Sequence, residues 1–437
     1  MQPAESSVRT SDPNQRASMG NVFRPFRNRH FRWQWVSTFA SFAGMQMQTI
    51  ALGVLGWQLS GSYYVVGILM AANAIPMALL SLPGGALVDR LEKRRVVIFS
   101  QFMLGVVAGA TAVLVQTDQI TLVFLFLGSV IQGAMFSLNG PARTALVTEI
   151  VSSEDLGGAI SLQTIAMNST RVIGPAVAGM MISFVSIEGT YYVTASMYLL
   201  AVVTTLRVPK GSAHIGRAAS PLLADMTAGM RYVWNERMLR SLCLSGLALA
   251  LFVWPYQVML PGFADTMGHA ALFGVMVAIS GVGGVAGSFA VATIANHPRK
   301  PYFQFMLGLF AAASLVALGA LTGPLGAPAA FIALACVGAG ATGYMTLNQT
   351  MLMTEAQPAY RGRVMSMNML SFSAMPLMAL PLGLLADAVG GGAAFVAQGI
   401  IAAGAIVLLG LTNREHTFRS TESHAVSTIR EPLAGNR

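Results

Sequence analysis

Apolar runs of membrane-spanning length alternate with short polar stretches along almost the whole chain. Twelve runs stand out: Trp35–Leu59, Val65–Val88, Val96–Val115, Ile120–Ser137, Leu156–Val185, Tyr191–Leu206, Leu242–Met259, Leu272–Ala295, Phe303–Leu321, Ala327–Leu347, Val364–Leu385 and Ala393–Leu411. A helix needs about 20 mostly apolar residues to cross a bilayer, so each run predicts one transmembrane helix. The fourth ends indistinctly, because Asn139-Gly140-Pro141-Ala142-Arg143 interrupts it. The polar remainder divides the chain into a tail over 1–33 expected to be disordered, six helices over 34–208, a linker over 209–240, six helices over 241–413 and a second tail over 414–437. In the linker Ser220 can cap a helix opened by Pro221. Leu222, Met226, Met230 and Val233 then recur at spacings of three and four beside Trp234. That pattern predicts an amphipathic helix on the membrane surface or against the bundle.

Composition agrees. Of 437 residues 10% are charged and 54% hydrophobic, and the mean hydropathy is +0.63, whereas a soluble domain carries about 25% charge. The chain reads as an all-α polytopic membrane protein. Its net charge of +9 does not indicate a nucleic-acid partner, because the cations follow the connections. Every Lys and Arg except Arg143 and Arg171 falls in the two tails or in the connections after the second, sixth, eighth and tenth runs. The positive-inside rule then predicts both termini in the cytoplasm and a multi-pass protein of a cell membrane, of the bacterial inner-membrane kind. The first tail lacks the apolar core of a cleavable signal peptide.

Chemistry narrows the class further. Cys243 and Cys336 lie in apolar runs and read as packing residues. All six His lie in tails or loops, so the clustered acid, His or Cys of an enzyme site is not foreseen. Polar stretches of roughly 30 residues are too short for the folded output domain of a sensor. The expectation is a transporter rather than an enzyme, with no cofactor or metal, a small-molecule substrate, the bilayer as its other partner, and a monomeric state.

Two stretches carry motifs. Gly85-Ala86-Leu87-Val88-Asp89-Arg90-Leu91-Glu92-Lys93-Arg94-Arg95 joins the second and third runs. Gly85 permits close helix approach, Asp89 stands where a carboxylate can pair with a cation or cap a helix, and the cations hold the loop inside. In the fifth run Asn168-Ser169-Thr170-Arg171-Val172-Ile173-Gly174-Pro175-Ala176-Val177-Ala178-Gly179 combines a helix-kinking proline with glycines for close packing. The first stretch resembles the loop between helices 2 and 3 of the major facilitator superfamily, Gly-x-x-x-Asp-Arg/Lys-x-Gly-Arg/Lys-Arg/Lys, with Glu92 in place of the second glycine. The second resembles the Gly-Pro-x-x-Gly-Gly element of that superfamily's antiporters, with Ala178 in place of the first paired glycine. With Ile75-Pro76 and Ser81-Leu82-Pro83-Gly84-Gly85, the chain is similar to the branch of enterobactin exporters and macrolide efflux pumps over about Phe31 to Asn413.

That resemblance implies two pseudo-symmetric six-helix halves, a substrate site between them, and export in exchange for protons. The residues echo it: Thr148-Glu149 recurs as Thr354-Glu355 and Pro175 as Pro381. Duplicated halves with a site near the midplane suit a rocking mechanism. Gly85, Asp89, Arg90, Arg94, Arg143 and Glu149 are the candidate gate, Asp89, Arg143 and Glu149 forming a charge cluster that latches the cytoplasmic side. Arg171, Gly174, Pro175 and Gly179 form the second group, and an embedded Arg171 costs on the order of 3 kcal/mol unless it faces a cavity or partner. The candidate cavity lining is Gln46, Gln48, Asn73, Gln132, Asn139, Asn168, Trp254, Tyr256, Gln257, Tyr344, Asn348, Gln349 and Asn368, with 27 Met adding adaptable apolar surface. No acid lies mid-membrane, so proton coupling would fall to Glu149, Asp265 or Asp387 near the surfaces. The substrate expected is lipophilic or siderophore-like. The alternatives are an importer or flippase-like carrier of a nutrient or lysolipid, and, from another class, a membrane sensor or enzyme.

Overall fold

The computed structural model describes residues 23–152, 154–209, 230–267, 272–294, 297–357, 360, 364 and 378–412. The helices are α1 Arg29–Ser60, α2 Tyr63–Arg90, α3 Lys93–Gln116, α4 Leu122–Ile150, α5 Leu156–Phe184, α6 Ile187–Leu206, α7 Arg237–Phe252, α8 Tyr256–Thr266, α9 Leu272–Ile294, α10 Lys300–Glu355, α11 Ala379–Val389 and α12 Gly391–Thr412. Among the described residues nine stretches are long and apolar enough to span a membrane. One covers α7 and α8 together, and two lie within α10, on either side of a break at Gly326. Gly326 takes φ +68°, a left-handed geometry that glycine adopts without a Cβ penalty. α1 and α5, of 32 and 29 residues, are long enough but more polar. α11 is the described end of the eleventh run.

Short polar connectors start the helices by capping them. Ser62 accepts from Val65 N–H, Thr121 from Phe124 N–H and Ser186 from Gly189 N–H, which satisfies donors the first turn leaves orphaned. These three caps share one end of the bundle; the basic connections share the other, hereafter the basic end.

Three boundaries differ from expectation. α1 starts at Arg29, inside the stretch read as a disordered tail. Asn28 caps it, Phe31 packs edge-on against Phe26, and Arg24 pairs with Asp155 at 3.1 Å and Glu154 at 3.3 Å. α4 runs through Pro141 to Ile150, since membrane helices tolerate proline where neighbours re-satisfy the backbone. The seventh run breaks at Val253–Pro255, and Gln398 Nε2 of α12 donates to the carbonyl of Val253 at 3.2 Å. In the linker Ser220, Pro221, Leu222 and Met226 lie outside the described residues. Val233 is buried against Leu239 and Met351, while Trp234 is exposed.

Each half is its own bundle. α1 packs on α5 and α6, α2 on α4, and α3 on α4 and α6; in the second half α9 packs on α10 and α10 on α12. The halves meet chiefly where α2 crosses α11 and α5 crosses α9. These crossings pair the second and fifth helices of the first half with the eleventh and eighth apolar runs of the chain, equivalent positions in duplicated halves.

Candidate functional site: a cavity between the halves

A cavity of about 300 Å³ lies between α5 of the first half and α8, α9 and the second span of α10. Its wall brings together Asn168, Arg171 and Pro175 with Trp254, Tyr256, Gln257 and Gln349, all expected as site residues, and adds Ser280. Arg171 lies midway along α5. Trp254 sits in the break between α7 and α8, where an interrupted helix frees it from regular packing, and its buried indole N–H has no partner among the described residues. The Tyr256 hydroxyl and Ser280 Oγ share a hydrogen bond of 2.6 Å. No carboxylate is among the described lining residues.

The other polar candidates are not among the described lining of this cavity. Gln48, 4% exposed, accepts from the Tyr198 hydroxyl at 3.1 Å and ties α1 to α6. Gln46 packs on Gly174 where α1 crosses α5, and Asn73 packs on Gly133 where α2 crosses α4. Gln132 is buried within α4. Asn348 accepts from Gln304 Nε2 at 2.7 Å, and Tyr344 is buried beside it inside the second half. The Gln48 and Asn348 amides are paired within their own halves, where an unpaired polar group in hydrocarbon is costly. Asn368 lies outside the described residues.

The gate candidates divide as well. Gly85, Asp89 and Arg90 fall in the last turns of α2, and their side chains lie outside the described set. Arg94 donates to the carbonyls of Thr205 at 3.3 Å and Leu206 at 2.5 Å, a cation at the C-terminus of α6 where the helix dipole favours one. Glu149 lies 4.0 Å from Lys93. Arg143 is not paired with Glu149 among the described residues. A spacing of six residues turns Arg143 and Glu149 to different faces of a helix with 3.6 residues per turn. Arg143, 2% exposed, instead donates from Nε to Asn139 Oδ1 at 3.1 Å, one turn back on its own face, and from Nη1 to Thr38 at 3.0 Å and Ser37 at 3.3 Å. Asn139 in turn donates to Ser100 at 2.8 Å, and Gln101 donates to Ser37 at 3.0 Å. A buried guanidinium is thus held by neutral groups of α1 and α4, backed by α3, with its Nη2 unpartnered among the described residues.

The end away from the basic loops is closed. Asp387, at the end of α11, accepts from Ser62 Oγ at 2.6 Å and from the backbone N–H of Tyr63 at 2.8 Å and Tyr64 at 3.0 Å. A carboxylate of one half therefore caps the N-terminus of α2 in the other, where the dipole favours negative charge. Asp265 of α8 accepts from Trp57 Nε1 at 3.2 Å. Gly179 and Gly274 lie backbone to backbone where α5 crosses α9, and Gly274 N–H donates to Ser183 Oγ at 3.2 Å. Beside these contacts a larger hollow of about 640 Å³ holds Trp57, Gln58, Glu188 and Asp265. It lies at the rim, whereas the 300 Å³ cavity lies at mid-depth. Of the residues in these contacts the sequence reading singles out Asp265, Asp387 and Gly179; Ser62, Tyr63, Gly274 and Ser183 escape it.

Two helical halves that meet, among the described residues, where α2 crosses α11 and α5 crosses α9, with a polar cavity between them, suit a transporter of the major facilitator superfamily. Solved structures share the fold: a bacterial homologue of the lysosomal transporter Spinster, in an inward-facing and unoccupied conformation, superposes with a TM-score of 0.67 at 14% identity, covering 90% of this chain and 97% of that one. The nucleoside transporter NupG gives 0.64 at 15% identity, covering 90% and 100%. Residues 20–435 match the family described as transmembrane secretion effector, and the chain belongs to that family. It is similar to the multidrug efflux pump Tap of Mycobacterium tuberculosis, 28% identical over 83% of this chain and 88% of that protein. It is also similar to the staphyloferrin A transporter of Staphylococcus aureus, 22% identical over 90% and 98%, and to the enterobactin exporter EntS of Escherichia coli, 24% identical over 76% and 79%.

Proposed function

We propose that the chain exports a small molecule across a bacterial inner membrane by alternating access, in exchange for protons, with both termini in the cytoplasm and no partner subunit. The observation that carries this reading is the cavity at mid-depth beneath an end closed by Asp387, Asp265 and the Gly179–Gly274 crossing. With the basic connections cytoplasmic, the closed end is the outer one, and the conformation is the one that loads from inside. Efflux by Tap and EntS supports the outward direction.

The outer contacts also supply a route to proton coupling. Hydrogen bonds to an ionised carboxylate are roughly twice as strong as neutral ones. A proton arriving from outside on Asp387 or Asp265 weakens the hold of one half on the other and favours opening outward. The titratable groups facing them are the Tyr63 phenol, which lies within electrostatic reach of both, and Glu188 across the rim hollow.

The test uses purified protein in right-side-out liposomes with an imposed pH gradient and a panel of lipophilic cations, macrolides and catecholate siderophores. Substrate-dependent proton flux is expected, and Asp387→Asn should lower it about tenfold, the worth of one charge-assisted contact. Substrate movement indifferent to the gradient would overturn the coupling; accumulation of substrate against the expected direction would overturn export.

A further inference from the structure

We infer that the molecule carried in the cavity is an anion and that Arg171 is its counter-charge. The inference rests on taking the 300 Å³ cavity as the substrate site. Arg171 is the one ionised side chain among its described lining residues. Segment 365–377, outside the described residues, contains no Asp, Glu or His. All seventeen acids of the chain fall in tails, connections or helix ends. Away from those places the only charges are thus two arginines, Arg143 held inside the first half and Arg171 on the cavity.

A cavity with positive charge and no carboxylate discriminates by sign. In a low-dielectric setting an organic cation entering it meets like charge and no carboxylate among the described lining residues, whereas an anion gains the attraction. The remaining polar groups suit the same ligand. Trp254 presents a buried N–H with no partner among the described residues, and Asn168, Gln257 and Gln349 offer amide donors. Arg171 already has a partner within the protein; an entering anion takes over that contact, so binding replaces one pairing by another rather than creating a charge in isolation.

The experiment measures equilibrium binding of two probes of one shape and opposite sign, naphthalene-2-sulfonate and 2-naphthyltrimethylammonium, to the full chain in phosphatidylcholine nanodiscs. The sulfonate should bind at least about tenfold more tightly, as expected for a charge-assisted pair. Arg171→Gln should erase that preference, Arg171→Lys should retain part of it, and Asn168→Asp, which sets a carboxylate on the same wall, should erase or invert it. Monodispersity of the Lys and Asp variants guards against a folding defect. Equal or tighter binding of the ammonium, no saturable binding of either probe, or a preference unchanged in Arg171→Gln overturns the inference. Repeating the series with phosphatidylglycerol in the disc separates a free anion, whose binding is unchanged, from a lipid phosphate, which competes; both keep the anionic assignment. No gradient is involved, so a failure of export or of proton coupling leaves this result untouched, and the reverse.

Discussion

In the first half side chains hold the helices together across gaps; in the second, backbone lies directly on backbone. Ser37 alone receives hydrogen bonds from Gln101 and Arg143 and shares one of 2.8 Å with Thr205, so α1, α3, α4 and α6 converge on one hydroxyl. In the second half Gly283 and Gly287 of α9 abut the carbonyls of Ala335 and Ala339, and Gly338 abuts that of Ser280, leaving no room for a Cβ. The first half has a comparable contact at Gly133 against Asn73, but there it stands beside the arginine network. Lipid gives helices no hydrophobic reason to associate, so small residues and interhelical hydrogen bonds are the two available means. The halves weight them differently. A hydrogen-bond network can exchange partners when helices shift, whereas a glycine crossing is either closed or open.

The comparison can be broken from the packing side first. Gly287→Leu drives a side chain into the backbone of α10 and should cost about 3 kcal/mol or more, since overpacking alone costs roughly 1–3 with flexible neighbours. The readout is the thermal midpoint and the monodisperse fraction in detergent; an unchanged midpoint would mean the contact is not tight. Asn139→Leu attacks the other half by deletion. It strips Arg143 Nε and Ser100 of their partner and should cost about 1–3 kcal/mol, the penalty for buried groups left unsatisfied. The same change made at Asn348, which accepts from Gln304 and has no arginine among its described hydrogen-bond partners, should cost less, and equality of the two would argue against a network. Smallest of all, Arg95→Ala removes an ion pair to Glu92 at 2.6 Å in which the Arg95 side chain is 75% exposed. It should cost under about 1 kcal/mol, read from the thermal midpoint, and the effect should weaken at high salt.

The spans were legible because hydropathy integrates over about 20 residues and tolerates errors at single positions. The site was only partly legible for the converse reason. Where a helix is apolar all round, an amide carries no sign of the face it takes. Gln48 and Asn348 bond within their own halves while Asn168 and Gln349 line the cavity, yet all four read alike. Arg143 is near Glu149 in sequence, yet its hydrogen bonds to Thr38 and Ser37 reach residues 105 and 106 positions away. Asp387 was visible as an acid at a helix end, but its partner lies 324 residues away in the other half.

That clasp is lopsided as a target for mutation. Two of the three donors held by Asp387 are main-chain amides of α2, and every residue but proline supplies those. Drift at Tyr63 or Tyr64 leaves the grip intact, so all heritable tuning of it must pass through Asp387, Ser62 or a proline. Proline is welcome in the first turn of a helix, which makes Tyr64→Pro a way to remove one donor while the helix itself persists. A lineage needing a looser outer door has few places to change and a great many where change is silent.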